Sequence, residues 1–142
     1  MPAKLIANKV VEQMLLTDHF TKHMGMELLE VTDGYSKIKM VITKNMLNAF
    51  GIAHGGATFS LADSAFAYAC NFDGKVTVAL DISVSYPKAA KENDILVAEA
   101  KQINKTKRTA LYLIEVKNQH NELVALFKGT CYKTEKNLIQ NI

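Results

Sequence analysis

The stretch 48–63 has the sequence NAFGIAHGGATFSLAD and decides the fold. A polar turn that ends in His-Gly-Gly leads into the apolar segment 57–70, and together they predict a helix that begins near Gly55. Apolar residues fall on every face of this helix, so we expect it to be buried rather than amphipathic. Asp63 is its only charge, and an ionised carboxylate there is costly unless it is paired, hydrogen-bonded or used in chemistry.

The predicted start of the helix has the properties of an anion site. The first N–H groups of a helix are unpaired and lie at the positive end of its dipole, and Gly55 and Gly56 carry no side chain to block an approaching group. A donor for a developing oxyanion and a lone carboxylate are two parts of an acyl-transfer centre. Both also have structural interpretations, since the glycines could serve tight packing and Asp63 could hydrogen-bond Ser60, Ser64 or a neighbouring strand.

Two polar residues of the preceding turn could complete such a centre. His54 stands directly before the glycines, where it could cap the helix or orient a reacting group, and we favour an orienting role over a basic one. Asn48 taken alone would be an ordinary loop amide. His54 and Asn48 become candidates because they precede the glycines and Asp63 in the same segment.

The spacing between the glycines and the carboxylate predicts a dimer. Eight residues separate Gly55 from Asp63, which on a helix is about 12 Å of axial rise and about 80° of rotation. One chain cannot readily bring both groups onto the same carbonyl. A helix from a two-fold related copy could supply the carboxylate, and symmetry would then create two mixed sites at the interface.

The composition bounds the class of protein. A chain of 142 residues with 49% hydrophobic and 22% charged residues predicts one soluble domain, 1–142. A net charge of +3 favours neither nucleic acid nor a membrane surface as partner. We find no apolar run of about 20 residues and no signal peptide. Cys70 and Cys131 are then interpreted as buried, reduced thiols of a cytoplasmic protein.

The rest of the chain predicts strands around the apolar helix. Residues 1–24 form an N-terminal helical extension, with an amphipathic helix from Ala3 to about His19. Alternating patterns predict strands at 26–31, 35–42, 76–86, 94–104, 108–118 and 123–134, followed by a tail, 135–142. Short connections favour an antiparallel meander. The predicted class is therefore α+β, with a curved antiparallel sheet wrapped around a long central helix.

At this level of detail the sequence resembles a known family. The segments that carry the resemblance are 46–48, 54–56, 59–71 and 124–130, and the similarity extends from about residue 25 to 132. They resemble the hotdog-fold acyl-CoA thioesterases, and within these the phenylacetic-acid-degradation, or PaaI-type, branch. The resemblance implies dimers with a shared sheet, usually assembled into homotetramers. It also implies hydrolysis of acyl-CoA thioesters without a metal or cofactor, coenzyme A being part of the substrate.

The resemblance also implies roles for individual residues. Asp63 matches the catalytic carboxylate, which acts as a base toward water or as a nucleophile. The Gly55 N–H matches the donor that polarises the thioester carbonyl, and Asn48 and His54 match residues around the leaving group or the nucleophilic water. Each site would combine Asp63 of one chain with Asn48, His54 and Gly55 of the other.

Further residues are candidates for binding the substrate. Gly56 lies beside the predicted donor, and the basic residues that could contact the nucleotide phosphates are Lys88, Lys105, Lys107 and Arg108. A solvated turn is the competing interpretation for the last three. Asp81, on the polar face of a predicted strand, could lie near Asp63 and raise its pKa by repulsion, or could face solvent.

Three functions stay open from the sequence. Hydrolysis of aryl or medium-chain acyl-CoA is favoured. A hotdog enoyl-CoA hydratase or dehydratase is the enzymatic alternative, although His54 beside Gly55 is better placed for binding than for such chemistry. A non-catalytic acyl-CoA sensor is the third, but no helix-turn-helix fits in the N-terminal helix. The acyl group itself, whether phenylacetyl, benzoyl or aliphatic, is not determined.

Overall fold

The computed structural model describes the backbone of residues 3–138 and the side chains of residues 8–138. Its helices are α1 (Ala3–Thr17), α2 (His19–His23) and α3 (Gly55–Cys70), with a 3-10 turn at Lys44–Met46. Its strands are β1 (Glu27–Thr32), β2 (Tyr35–Val41), β3 (Lys75–Ser85), β4 (Ile95–Lys105), β5 (Thr109–Lys117) and β6 (Leu123–Asn137). Of the predicted tail, residues 135–137 belong to β6 and 139–142 lie outside the described residues. Over the described range, every helix is too short or too polar to cross a bilayer.

The six strands form one antiparallel sheet in the order β1-β2-β4-β5-β6-β3. The predicted meander is present as β4-β5-β6. β3 instead lies at the far edge beside β6, because the crossing helix α3 separates it from β2 in the chain. The sheet wraps around α3, and the expected α+β hotdog architecture is thereby confirmed.

The core lies between α3 and the inner face of the sheet. Alternate residues of the central strands point inward and are buried, which follows from the two-residue period of a strand. From the helix, Phe66 packs against Tyr112 and Phe127, with ring centroids 5.5 and 5.8 Å apart. Burying a large apolar side chain of this kind contributes roughly 1.5–3 kcal/mol, so this cluster anchors the helix across three elements.

One face of α3 departs from the predicted full burial. Its residues Gly56, Ser60, Asp63, Ser64 and Ala67 are partly or fully exposed, as are the adjacent Gly55 and Phe59, while the remaining residues of the helix are buried. The first five recur at three- and four-residue spacing and therefore form one stripe along the helix. These five residues are small or polar, and we call them the open stripe of α3; Phe59 borders the stripe, with its ring packed against Phe127.

The N-terminal extension forms two helices, where one was predicted to run to about His19. The break occurs at Asp18, whose Oδ1 accepts a hydrogen bond from the Thr21 N–H at 3.0 Å and so caps α2. The same carboxylate accepts from the buried Tyr68 hydroxyl at 2.6 Å. Asp18 therefore both begins α2 and ties the extension to α3.

The edge strand β3 contains an irregularity that orients its side chains. The pairing with β6 shifts between Ala79 and Asp81, which leaves Leu80 as an extra residue. Beyond it Asp81 pairs with Thr130 and Ile82 with Gly129, and Gly129 lies under Phe66. Successive side chains alternate between faces, so Asp81 is on the outer face, where it is exposed.

Candidate active site

His54 caps α3 and fixes its own tautomer by doing so. Its Nδ1 accepts a hydrogen bond from the Gly56 N–H at 2.8 Å, and its carbonyl oxygen accepts from the Ala57 N–H at 2.9 Å. A neutral imidazole nitrogen that accepts carries no hydrogen, so the ring proton is on Nε2. The exposed ring therefore offers a donor to solvent or to a ligand.

The Gly55 N–H is the free donor at this helix end. The next two N–H groups, of Gly56 and Ala57, are bound to His54, whereas Gly55 N–H has no hydrogen-bond partner within residues 8–138. It lies at the positive end of the α3 dipole. The arrangement leaves a single oriented N–H for an incoming acceptor.

Tyr86 lies against the same turn, and sequence reasoning missed it. Its hydroxyl donates to the Gly55 carbonyl oxygen at 3.1 Å. A Cβ at Gly55 would lie 3.4 Å from Tyr86 Cζ, so the ring flanks the bare side of the glycine. Tyr86 follows β3 directly and stands 31 residues from Gly55, and no local pattern marks that contact.

Asn48 closes the loop that precedes the helix. Its Oδ1 accepts from the N–H groups of Phe50 at 2.9 Å and Ile52 at 3.4 Å. The loop ends are pinned by a bridge between Leu47 and Ala53. The carboxamide oxygen is therefore used locally, within the loop that leads into α3, and a role for Asn48 in the site stays a prediction.

Asp63 lies in the middle of the open stripe of α3, half-buried. No donor within residues 8–138 hydrogen-bonds its carboxylate, and the Ser60 hydroxyl donates instead to the Gly56 carbonyl oxygen at 2.7 Å. Burial raises the pKa of Asp63 above its ordinary value of 3.8. The structural interpretation of Asp63 as a hydrogen-bonded core acid therefore lacks a partner in this part of the chain.

The structure keeps Asp63 away from Gly55 within one protomer. α3 is continuous from Gly55 to Cys70, so the eight-residue separation keeps its rise of about 12 Å. The donor and the carboxylate are on one helix but cannot meet on one carbonyl. This is the geometry from which the sequence predicted a second copy.

The predicted basic residues are divided between the two ends of α3. Lys105, Lys107 and Arg108 surround the β4–β5 turn and line a small cavity with Cys70, the last residue of the helix. That end lies about 22 Å from Gly55 along the helix axis. Lys88 lies two residues after Tyr86, on the Gly55 side, and pairs with Glu122 at 2.6 Å. One protomer therefore does not assemble all four around a single phosphate group.

A groove of about 320 Å³ runs beside the N-terminus of α3. Its walls come from α2, from the Lys44–Met46 turn and from the first turns of α3, and they include Phe20, Met24, Met46, His54 and Ser60. The sequence patterns did not single out Phe20 or Met24, which follow the amphipathic helix predicted to end near His19. Among the described side chains there is no cluster of three His, Cys, Asp or Glu residues that could hold a metal ion.

Comparison with known proteins places this geometry in a family. A family model described as the thioesterase superfamily matches residues 50–125, which is more than half of the chain and includes the whole of α3. The chain is a member of the thioesterase superfamily.

Relatives of this thioesterase-superfamily member cover most of its length. A putative esterase of Archaeoglobus fulgidus is 45% identical over 131 residues, 92% of this chain and 85% of the relative. The acyl-coenzyme A thioesterase PaaI of Escherichia coli is 37% identical over 120 residues, 84% of this chain and 86% of the relative. The resemblance to the PaaI-type branch is therefore confirmed.

The fold of the superfamily member also matches a solved structure. The structure of the Escherichia coli PaaI protein from the phenylacetic acid degradation operon superposes with a TM-score of 0.92 at 34% identity. The match covers 94% of this chain and 97% of the other. The unmatched 6% of this chain is shorter than the N-terminal extension, residues 1–24, so the match includes part of the extension.

Proposed function

We propose that the protein hydrolyses acyl-CoA thioesters to the free acid and coenzyme A, with no cofactor beyond the coenzyme A of the substrate. One observation carries the proposal: among the contacts of residues 8–138, the first N–H of α3, at Gly55, has no partner, because His54 accepts from the next one. A thioester carbonyl oxygen is an acceptor that gains negative charge during hydrolysis. A donor of this kind contributes roughly 100- to 1,000-fold to the rate.

In the proposed mechanism the carboxylate of Asp63 activates the attack. As a general base it takes a proton from water while the water oxygen bonds to the carbonyl carbon; the C–S bond then breaks and the coenzyme A thiolate takes up a proton. As a nucleophile it would instead expel the thiolate and form a mixed anhydride, which water hydrolyses. The raised pKa of Asp63 favours the first route, because a more basic carboxylate holds the proton of water better.

The proposal includes a homodimer with shared sites. Gly55 and Asp63 of one chain cannot reach the same carbonyl, so Asp63 of a second copy would face Gly55, Asn48 and His54 of the first. Two features support the pairing: the open stripe of α3 is small or polar, and the edge strand β3 exposes Val78 at 46% and Leu80 at 60%. A further pairing into tetramers stays a prediction from the family resemblance.

The substrate is proposed from the surfaces beside the helix start. The groove of about 320 Å³ has room for an aryl or medium-chain acyl group, and Phe20 and Met24 give it an apolar wall. Lys88, Lys105, Lys107 and Arg108 remain candidates for the phosphates, the last three from the partner's end of α3. Free thiols at Cys70 and Cys131 are compatible with the cytoplasmic location that the sequence predicts.

Release of free thiol from a panel of aryl and aliphatic acyl-CoAs tests the function. We expect turnover by the wild-type protein and by Asp33→Asn, a matched control in the exposed β1–β2 turn. Asp63→Asn should lose at least about 100-fold. Near-native turnover by Asp63→Asn would overturn the assignment of the carboxylate.

The same panel separates the alternatives. Binding of acyl-CoA in a calorimeter with no thiol release would favour a sensor. Loss of enoyl-CoA absorbance on addition of the protein would favour a hydratase. Either result would overturn the proposed hydrolysis.

A further inference from the structure

The Gly55–Gly56 peptide group is held by side chains at both of its polar ends. Tyr86 donates its hydroxyl hydrogen to the Gly55 carbonyl oxygen at 3.1 Å. His54 Nδ1 accepts from the Gly56 N–H at 2.8 Å. The carbonyl and the N–H of one planar unit are thus both fixed from outside the helical hydrogen-bond pattern.

This peptide group needs such support more than others in α3. Two consecutive glycines have the largest conformational freedom of any pair of residues. They also lie in the first turn, where the N–H groups lack intrahelical partners. Only two rotations, the φ and ψ of Gly55, connect its N–H to the Gly55–Gly56 peptide plane. Fixing that plane therefore limits the directions that the Gly55 N–H can take.

We propose that Tyr86 is a positioning residue of the active site, whose phenol fixes the Gly55–Gly56 peptide and so aims the Gly55 N–H at the thioester carbonyl. The inference rests on the proposed thioester hydrolysis. The ring contributes as well as the hydroxyl, because its Cζ lies 3.4 Å from the position of a Cβ at Gly55. The ring of Tyr86 thereby limits movement of Gly55 toward that side.

The effect of Tyr86 on the rate is separable from any effect on folding. Tyr86 is 47% exposed and follows an edge strand, so removal of its hydroxyl leaves the core unchanged. A hydrogen bond of ordinary net strength corresponds to roughly 3- to 10-fold in rate. Tyr86→Phe should therefore lower kcat by roughly 3- to 10-fold with KM unchanged and the protein fully folded at the assay temperature, and Tyr86→Leu should lower kcat further.

Tyr35→Phe is the matched control. It removes a tyrosine hydroxyl that donates at 2.7 Å to Glu99, between β2 and β4 and away from the start of α3. We expect wild-type kcat from this variant. A second measurement is independent of turnover: hydrogen exchange of the Gly56 amide by NMR should be faster in Tyr86→Phe than in the wild type or in Tyr35→Phe.

The outcomes distinguish this inference from the proposed function. If Asp63→Asn is inactive but Tyr86→Phe keeps wild-type kcat, hydrolysis stands and the positioning role is overturned. A fall of kcat matched by an equal loss of folded protein would also overturn it. If the wild-type protein releases no thiol from any acyl-CoA, the proposed function fails. Hydrogen exchange of the Gly56 amide then tests alone whether Tyr86 fixes the Gly55–Gly56 peptide. Unchanged exchange in Tyr86→Phe would count against this, and faster exchange would support it.

Discussion

The ring of Phe66 lies directly on the backbone of Gly129. A Cβ added at Gly129 would be 2.8 Å from Phe66 Cε1 and Cζ, closer than real Cβ contacts allow. β6 therefore needs a glycine where the central helix crosses it. The absence of a side chain at residue 129 sets how closely α3 approaches the sheet.

Gly129→Ala should destabilise the fold by overpacking. Phe66 is held by Tyr112 and Phe127 and cannot move aside freely, so we expect a loss of roughly 1–3 kcal/mol in the free energy of unfolding. Urea unfolding would measure it. Gly55→Ala is the comparison, because its Cβ would meet Tyr86 at an ordinary 3.4 Å. Equal stability of the two variants would contradict the prediction.

Asp63→Asn should abolish turnover and stabilise the protein at neutral pH. Burial raises the pKa of Asp63 above 3.8, so the native state binds this proton more tightly than the unfolded chain does. Stability therefore falls as pH rises from about 3.8 through the native pKa, and the loss persists above it. Asparagine carries no charge and escapes this loss. Calorimetry between about pH 4 and pH 8 covers roughly the range of carboxyl and histidine titration. Asp63→Asn should have the higher thermal midpoint at the upper end of this range only. A difference that stays constant across the range would show that burial of the ionised carboxylate is not its cause.

His54→Ala should weaken the start of α3. The Gly56 N–H loses its acceptor at 2.8 Å, and loss of a helix cap costs about 1 kcal/mol. Asparagine is a good capping residue, so His54→Asn should recover most of the stability in urea unfolding. Failure of asparagine to do better than alanine would show that the cap is not what His54 contributes.

The contact between Asp18 and Tyr68 should make stability depend on acid pH. Burial opposes ionisation of Asp18, but hydrogen bonds from Tyr68 and Thr21 outweigh it and hold its pKa below 3.8. This stabilisation is present above the unfolded pKa and is lost as pH falls from about 3.8 through the native value. Tyr68→Phe removes the donor at 2.6 Å and should cost about 1–3 kcal/mol near neutral pH.

The difference between wild type and Tyr68→Phe should shrink in acid. Urea unfolding at neutral pH and again below the native pKa of Asp18 tests this. A difference that stays constant with pH would assign the cost to packing rather than to the hydrogen bond.

Leu80→Lys should separate the proposed dimer. Leu80 is 60% exposed in one chain, so a lysine there costs the isolated fold little, about 0.5 kcal/mol or less. In the proposed pair the charge would be buried at the β3 edge, which is strongly unfavourable. Sedimentation velocity should show monomers, and thiol release should fall at least about 100-fold because each site loses its carboxylate. Leu16→Lys, at a site 63% exposed on α1, should keep the wild-type assembly.

The sequence predicts those features of the fold that depend on residues close together in the chain. The glycine pair followed by an apolar run predicts α3 almost to the residue, and alternation predicts each strand to within a few positions. It predicts neither the pairing of β3 with β6 nor the extra residue Leu80, because the partners of a strand are distant in the chain. The break at Asp18 had a local signal, since aspartate is a good capping residue, but the helical periodicity concealed it.

The residues of the candidate site were also predicted where they are close in sequence and missed where they are distant. His54 and Gly55 lie together at the start of α3 because they are neighbours in the sequence, and Asn48 belongs to the loop before them. The spacing of Asp63 gave the argument for a second copy. Tyr86 was missed because it reaches Gly55 only after β3 has crossed to the sheet edge. The four basic residues were grouped by charge alone, and their separation follows from the length of α3.

If the outer edge of β3 is the proposed dimer contact, the activity of the protein depends on its concentration. A strand of 11 residues that pairs with β6 on one side only, within residues 3–138, and presents Val78 and Leu80 is a template for an extended chain. In the proposed dimer, a newly made copy carries this template until a second copy covers it, and by mass action the covered fraction grows with concentration. A cell that makes too little of this protein would therefore hold chains that are folded, incomplete as enzymes, and open to the wrong partner.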